Sequence, residues 1–78
     1  MKELVEYIAR SIVNDPTQVH VAEVRGGATV HLELQVAKED MGRVIGKRGQ
    51  VASAIRSLLE VAAAREGKQV TLDIVEPQ

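Results

Sequence analysis

The chain has 78 residues, enough for one domain, with 45% hydrophobic and 27% charged residues and a formal net charge of −1. That balance suits a soluble folded domain and argues against disorder. Cysteine is absent, which excludes disulfides and thiolate metal sites and fits a reducing, cytoplasmic setting. No apolar run approaches the ~20 residues that cross a bilayer. Met1-Lys2-Glu3 followed by an amphipathic pattern does not read as a secretory leader, so no membrane association is expected. A chain of this size buries only about 60% of the surface it exposes when unfolded. A second chain covering leftover apolar surface would therefore add stability.

The first element is an amphipathic helix over Lys2 to Val13, in which Leu4, Val5, Ile8, Ile12 and Val13 recur at helical spacing. Asn14-Asp15-Pro16 ends it, because a residue before proline avoids the helical region. Tyr7, the only aromatic residue, lies on this helix and is read as a packing residue with a solvated hydroxyl. Gln18 to Arg25 is valine-rich and predicts a strand, with Val19 and Val21 on one face and Val24 on the other. Arg25-Gly26-Gly27 predicts a tight turn, the glycines supplying positive φ. The next strand alternates cleanly: Ala28, Val30, Leu32, Leu34 and Val36 face one way, and Thr29, His31, Glu33 and Gln35 the other.

Asp40 is a candidate N-cap for a short helix from Met41 to Ile45. The segment Gly46 to Gly49 interrupts helical structure, and a longer helix follows over Gln50 to Arg65, ended by Gly67 in the left-handed conformation. Val70, Leu72 and Ile74 alternate with Thr71, Asp73 and Val75 in a last strand, and Glu76-Pro77-Gln78 forms a tail. The order is α-β-β-α-α-β in a single domain over residues 1–78. Each strand has one apolar face, so three helices should pack on one side of a three-stranded sheet. The two helices between the last strands suit a crossover to a parallel neighbour. The expected architecture is α+β with a mixed sheet.

Charge is distributed unevenly. Met41 to Leu59 contains no acidic residue but holds Arg43, Lys47, Arg48 and Arg56, and a local basic segment decides where a polyanion lands. Within it, Val44-Ile45-Gly46-Lys47-Arg48-Gly49-Gln50-Val51 places a glycine-flanked dibasic turn between two helices. Glycines let a sugar-phosphate backbone come close to the main chain. Gly49 precedes a helix N-terminus, whose free N–H groups favour phosphate. Val44, Ile45 and Val51 are expected to anchor the flanking helices in the core. The candidate set for binding a sugar-phosphate backbone is Gly46, Lys47, Arg48 and Gly49, with Arg43, Val44, Ile45 and Gln50 beside them.

Val44, Ile45, Gly46, Gly49 and Ile55 match position for position the V-I-G-x-x-G-x-x-x-x-x-I signature of the KH family. The element order resembles the type II form of that fold over nearly the whole chain. A free-standing domain of this size is similar to the bacterial single-KH RNA-binding proteins of the KhpA group. The resemblance implies a groove for about four nucleotides, clamped at the backbone by the glycine loop. It implies a second wall from the sheet edge, assigned here to the Ala28–Val36 strand. It also implies self-pairing, or pairing with a larger KH-containing protein of the KhpB (Jag) type. With no Phe or Trp, the groove lacks aromatic platforms, so loose sequence preference is expected.

Other motifs carry less. Gly42 to Lys47 is similar to a phosphate-binding P-loop but is one residue short, and Arg48 stands where Ser or Thr would meet magnesium. His20 and His31 have no clustered thiol or carboxylate in the sequence, so neither a metal nor another cofactor is expected. Ser11, Ser53 and Ser57 lack an adjacent base, and no catalytic constellation is present. On the Gln50–Arg65 helix, apolar residues from Val61 to Ala63 span an arc of roughly 200°, against about 100° for a one-sided core contact; this suggests a partner-facing flank, with Leu59 toward one side and Ala54 and Val61 toward the other. The expected function is binding of single-stranded RNA as a post-transcriptional regulator or RNA chaperone. The alternatives are an interaction module working through the third helix and a single-stranded DNA binder.

Overall fold

Amphipathic spacing sets the first element of the fold. In a computed structural model, which describes residues 1–76, helix α1 runs Lys2–Ile12. It buries Val5 and Ala9, with Ile8 and Ile12 packed against the core. It ends where Val13 turns extended (φ −90°, ψ 158°), two residues before Asp15-Pro16. Tyr7 points away from the core and is 73% exposed, so it is a surface residue and not the packing residue expected of a lone aromatic.

Asp15 then organises a single 3-10 turn, Pro16–Gln18, by accepting from the Thr17 N–H (3.2 Å) and Gln18 Nε2 (2.7 Å). The Thr17 hydroxyl and Gln18 amide hold its carboxyl below the usual carboxylate range. That contribution is in place above the ordinary carboxylate value and is lost as pH falls through the lowered one. The turn takes up Gln18, so strand β1 spans His20–Gly26 and begins later than the valine pattern suggests. Val19 and Val21 are buried and Val24 is exposed, as their alternation predicts.

Strand β2, Thr29–Gln35, pairs antiparallel with β1 in the register Gly26↔Thr29 through His20↔Gln35. The hairpin's two central residues are therefore Gly27 and Ala28. Only Gly27 has a positive φ (61°), the pattern of a turn with glycine at its first central position. Gly26 is still in the strand, so the turn falls one residue later than the expected Arg25-Gly26-Gly27. Strand β3, Gln69–Val75, pairs parallel with β2, giving the sheet order β1-β2-β3. The mixed three-stranded sheet is as expected. Val30, Leu32, Leu34, Val36 and Leu72 are buried against helix residues Val5, Val44, Ile55 and Leu59. The opposite face carries His31, Glu33, Thr71 and Asp73. There His31 Nδ1 lies 2.6 Å from Thr71 Oγ1, and its Nε2 lies 3.6 Å from Glu33 and 3.5 Å from Asp73. The sequence does not show this cluster, because parallel pairing brings Thr71 and Asp73 beside a histidine forty residues earlier.

Asp40 departs most from its expected role. It closes a 3-10 turn, Lys38–Asp40, ahead of helix α2 (Met41–Ile45), but its side chain caps no helix. It is buried and accepts the main-chain N–H groups of Asn14 (3.0 Å) and Asp15 (3.1 Å), with Arg43 Nε at 3.3 Å. A helix-start carboxylate thus clips the α1–β1 connection to the root of α2. Hydrogen bonds to a charged group contribute about 1.5–3 kcal/mol each, and a buried donor left unpaired is costly. Asp40→Ala is therefore expected to lose about 2–3 kcal/mol and to lower the melting midpoint by roughly 10–20 °C. A midpoint equal to wild type in a thermal melt contradicts this role.

Helix α3, Gln50–Arg65, follows the predicted bounds. Gly67 ends it at φ 68°, with Gly67 N–H donating to Ala64 and Lys68 N–H to Ala63. Ala52, Ile55, Leu59 and Ala63 form its buried stripe, so the Leu59 flank meets the sheet. Ala54, Leu58 and Val61 lie on the other side, with Leu58 54% and Val61 57% exposed. Of the expected tail, Glu76 is exposed and the last two residues lie outside the described ones.

Candidate nucleic-acid interface

Three short pieces build the candidate site: α2, a 3-10 turn over Lys47–Gly49, and the first turn of α3. Val44 is fully buried and seats α2 in the core, offering no surface to a ligand. Val51 packs partly against the same core. Ile45 does not join them. It is 39% exposed beside the loop, because a five-residue helix can turn only one face inward. Arg43 lies on α2 outside the loop, with Nε engaged by Asp40.

The two loop glycines do different work. Gly46 (φ 76°, ψ 173°) is pressed against the start of α3: a Cβ there would lie 2.7 Å from Val51 Cβ and 2.8 Å from Val51 N. Its role is internal, to let α2 turn into α3. Gly49 (φ 74°, ψ 13°) has open space where a Cβ would be, so its main chain is accessible from outside. Gly49 is also the N-cap of α3, and no side chain caps that end. The loop's own carbonyls take up the first N–H groups, Gly49 donating to Gly46 (3.1 Å) and Gln50 to Lys47, while the positive end of the helix dipole faces the loop.

Between the glycines, Lys47 and Arg48 are exposed. Neither forms an ion pair with a carboxylate among the described residues. Arg48 adopts a left-handed conformation (φ 57°, ψ 26°), uncommon for a residue other than glycine. Gln50 is exposed at the first position of α3. The structure thus gathers Ile45, Lys47, Arg48, Gly49 and Gln50 on one accessible rim. Val44 and Gly46 lie beneath it, and Arg43 lies to one side.

The Ala28–Val36 strand does not form the second wall. β2 is the central strand, with β1 and β3 hydrogen-bonded on its two sides, so it offers no free edge. The edge beside α3 belongs to β3. Between α3 and that edge runs a cleft of about 330 Å³, floored by Leu59 and Leu72 and flanked by Arg56, Glu60 and Asp73. Arg56 spans it, donating from Nε (3.3 Å) and Nη2 (3.2 Å) to the Leu72 carbonyl. The signal for this arrangement was already in the sequence. A hairpin joining β1 to β2 and a crossover joining β2 to β3 together place β2 in the middle.

The chain matches the family model described as KhpA/KhpB, KH domain, over residues 2–74. It is 53% identical to the RNA-binding protein KhpA of Clostridium perfringens over 75 residues, covering 96% of this chain and 100% of that one. Identity to the protein of the same name from Clostridium acetobutylicum is 51% with the same coverage. For that of Chlamydia trachomatis it is 46% over 76 residues and 97% of each chain. Among solved structures, Era in complex with MgGDPNP and nucleotides 1506–1542 of 16S ribosomal RNA superposes with a TM-score of 0.61 at 24% identity. That match covers 96% of this chain but 29% of the other, and it bears on the fold alone. Full-length similarity, the family match and the helix–glycine loop–helix geometry agree: the chain belongs to the KhpA/KhpB family of KH domains.

Proposed function

We propose that this chain binds single-stranded RNA, gripping the sugar-phosphate backbone at Gly46–Gly49 and turning the bases toward the cleft between α3 and β3. The observation that carries this reading is the open space over Gly49, at the positive end of the α3 dipole and beside two cations that make no ion pair among the described residues. Exposed Ile45 supplies an apolar surface for a base next to the clamp. The relatives named RNA-binding protein KhpA support the choice of polymer. The activity is binding without catalysis, in the cytoplasm, as a post-transcriptional regulator or RNA chaperone. If two to four phosphates are neutralised, log affinity should fall with log salt at a slope of about −1.4 to −2.8, at roughly −0.7 per phosphate for single strands. A salt-independent affinity contradicts the clamp. A DNA oligonucleotide of the same sequence, titrated in parallel, shows whether the 2′-hydroxyl contributes.

A specific observation also favours a protein partner. Ala54, Leu58 and Val61 lie at i, i+4 and i+7 and form an apolar stripe on the side of α3 that faces away from the sheet. The occupant proposed is a second copy of this chain or a larger KH-containing protein of the KhpB type. Val61→Lys should leave the fold intact by circular dichroism and reduce the mass seen by light scattering to that of a monomer. Leu59→Lys, on the buried stripe, should unfold the domain, since an unpaired buried charge is very costly. A wild-type chain that is already monomeric at high concentration rules out the self-paired form and leaves only the different partner.

A further inference from the structure

We propose that Arg56 reads a base in the cleft and selects guanine or cytosine over adenine and uracil; this rests on the RNA-binding reading above. The guanidinium has two donor edges. One, Nε with Nη2, is occupied by the Leu72 carbonyl on the outer edge of β3. The hydrogen bonds fix the plane of the group and leave its Nη1–Nη2 edge with two parallel donors.

Glu60 lies four residues further along α3, on the same helix face, where it would ordinarily pair with an arginine. The guanidinium is turned to the main chain instead, and Glu60 forms no ion pair among the described residues. The cleft therefore presents two parallel donors and a carboxylate acceptor, over an apolar floor of Leu59 and Leu72. A phosphate would suit the donors but would meet Glu60 and Asp73 in the same cleft.

A base suits both. Guanine carries the adjacent acceptors O6 and N7 with the N1–H donor beside them, and cytosine carries O2 and N3 beside its N4 amino group. Adenine and uracil have no two adjacent acceptors on an accessible edge. Arg56 lies seven residues along α3 from Gly49, about 10 Å at 1.5 Å per residue. That is within a groove that holds four nucleotides.

The rival role is purely structural, in which Arg56 only covers an edge carbonyl that would otherwise template another strand. The two are separated by titrating uridine nonamers that carry guanine, cytosine or adenine at the centre, with the all-uridine RNA as the fourth probe. Wild type should bind the guanine and cytosine RNAs on the order of tenfold tighter, the effect of a bidentate base contact. Arg56→Gln should equalise the four. Arg56→Lys should equalise them too, because it keeps the charge but not the fork. Equal wild-type binding of all four RNAs overturns the proposal. So do variants that weaken all four alike and lower the melting midpoint while the preference persists. Failure of wild type to bind any of the RNAs overturns the RNA-binding reading itself.

Discussion

Gly46→Ala should cost far more stability than Gly49→Ala, although both glycines have positive φ and frame the same loop. At Gly46 (φ 76°, ψ 173°) the backbone lies in a region open essentially to glycine alone, which costs about 1–3 kcal/mol for any other residue. The added Cβ would also meet the backbone nitrogen of Val51 at 2.8 Å, a contact that no side-chain rotation relieves. Overpacking of this kind adds about 1–3 kcal/mol. A total of about 2–6 kcal/mol is a large share of the 5–15 kcal/mol typical of a folded domain. The melting midpoint should fall by more than roughly 10 °C. At Gly49 there is no clash, and the left-handed conformation alone costs about 1–2 kcal/mol. That variant should remain folded and show its defect in RNA affinity. Thermal melts of the two proteins side by side decide the matter; equal midpoints contradict the division of labour between the glycines.

The elements that could be read from the sequence are those whose pattern is local. The strict alternation from Val30 to Val36 gave β2 its buried face, and the arc of α3 already held the Ile55–Leu59 stripe that packs on the sheet. Gly67 was legible as a helix stop because a left-handed terminus needs only its own backbone. What the sequence concealed depends on residues far away in the chain. Asp40 has the look of a helix cap, yet the donors it satisfies lie 25 and 26 residues earlier. Ile45 belongs to a hydrophobic pair, but only Val44 finds room in the core. Tyr7 has the size of a core residue and none of the burial.

The candidate site divides in the same way. The position of the loop, its dibasic pair and its place before α3 follow from Gly46-Lys47-Arg48-Gly49 directly. Which glycine faces outward is decided by Val51, and which strand walls the cleft by the order of the sheet. Arg56 counted in the sequence only as one more positive charge. Its two hydrogen bonds to Leu72 exist because the crossover lays α3 along the β3 edge.

The central claim is that exposed charge on an open loop, and not the fold as such, holds the nucleic acid. Replacing Lys47 and Arg48 together with aspartate tests it most directly. Both side chains are exposed and make no ion pair among the described residues, so stability should scarcely change. Aspartate also tolerates the left-handed conformation at position 48. Each unit of charge changed about 4 Å from a phosphate is worth about 1 kcal/mol at a water-like dielectric. Reversal of both residues should therefore weaken RNA binding by at least roughly a hundredfold, with circular dichroism and the melting midpoint close to wild type. A gel-shift titration in which the doubly substituted protein and wild type bind the same RNA with equal affinity would contradict the account.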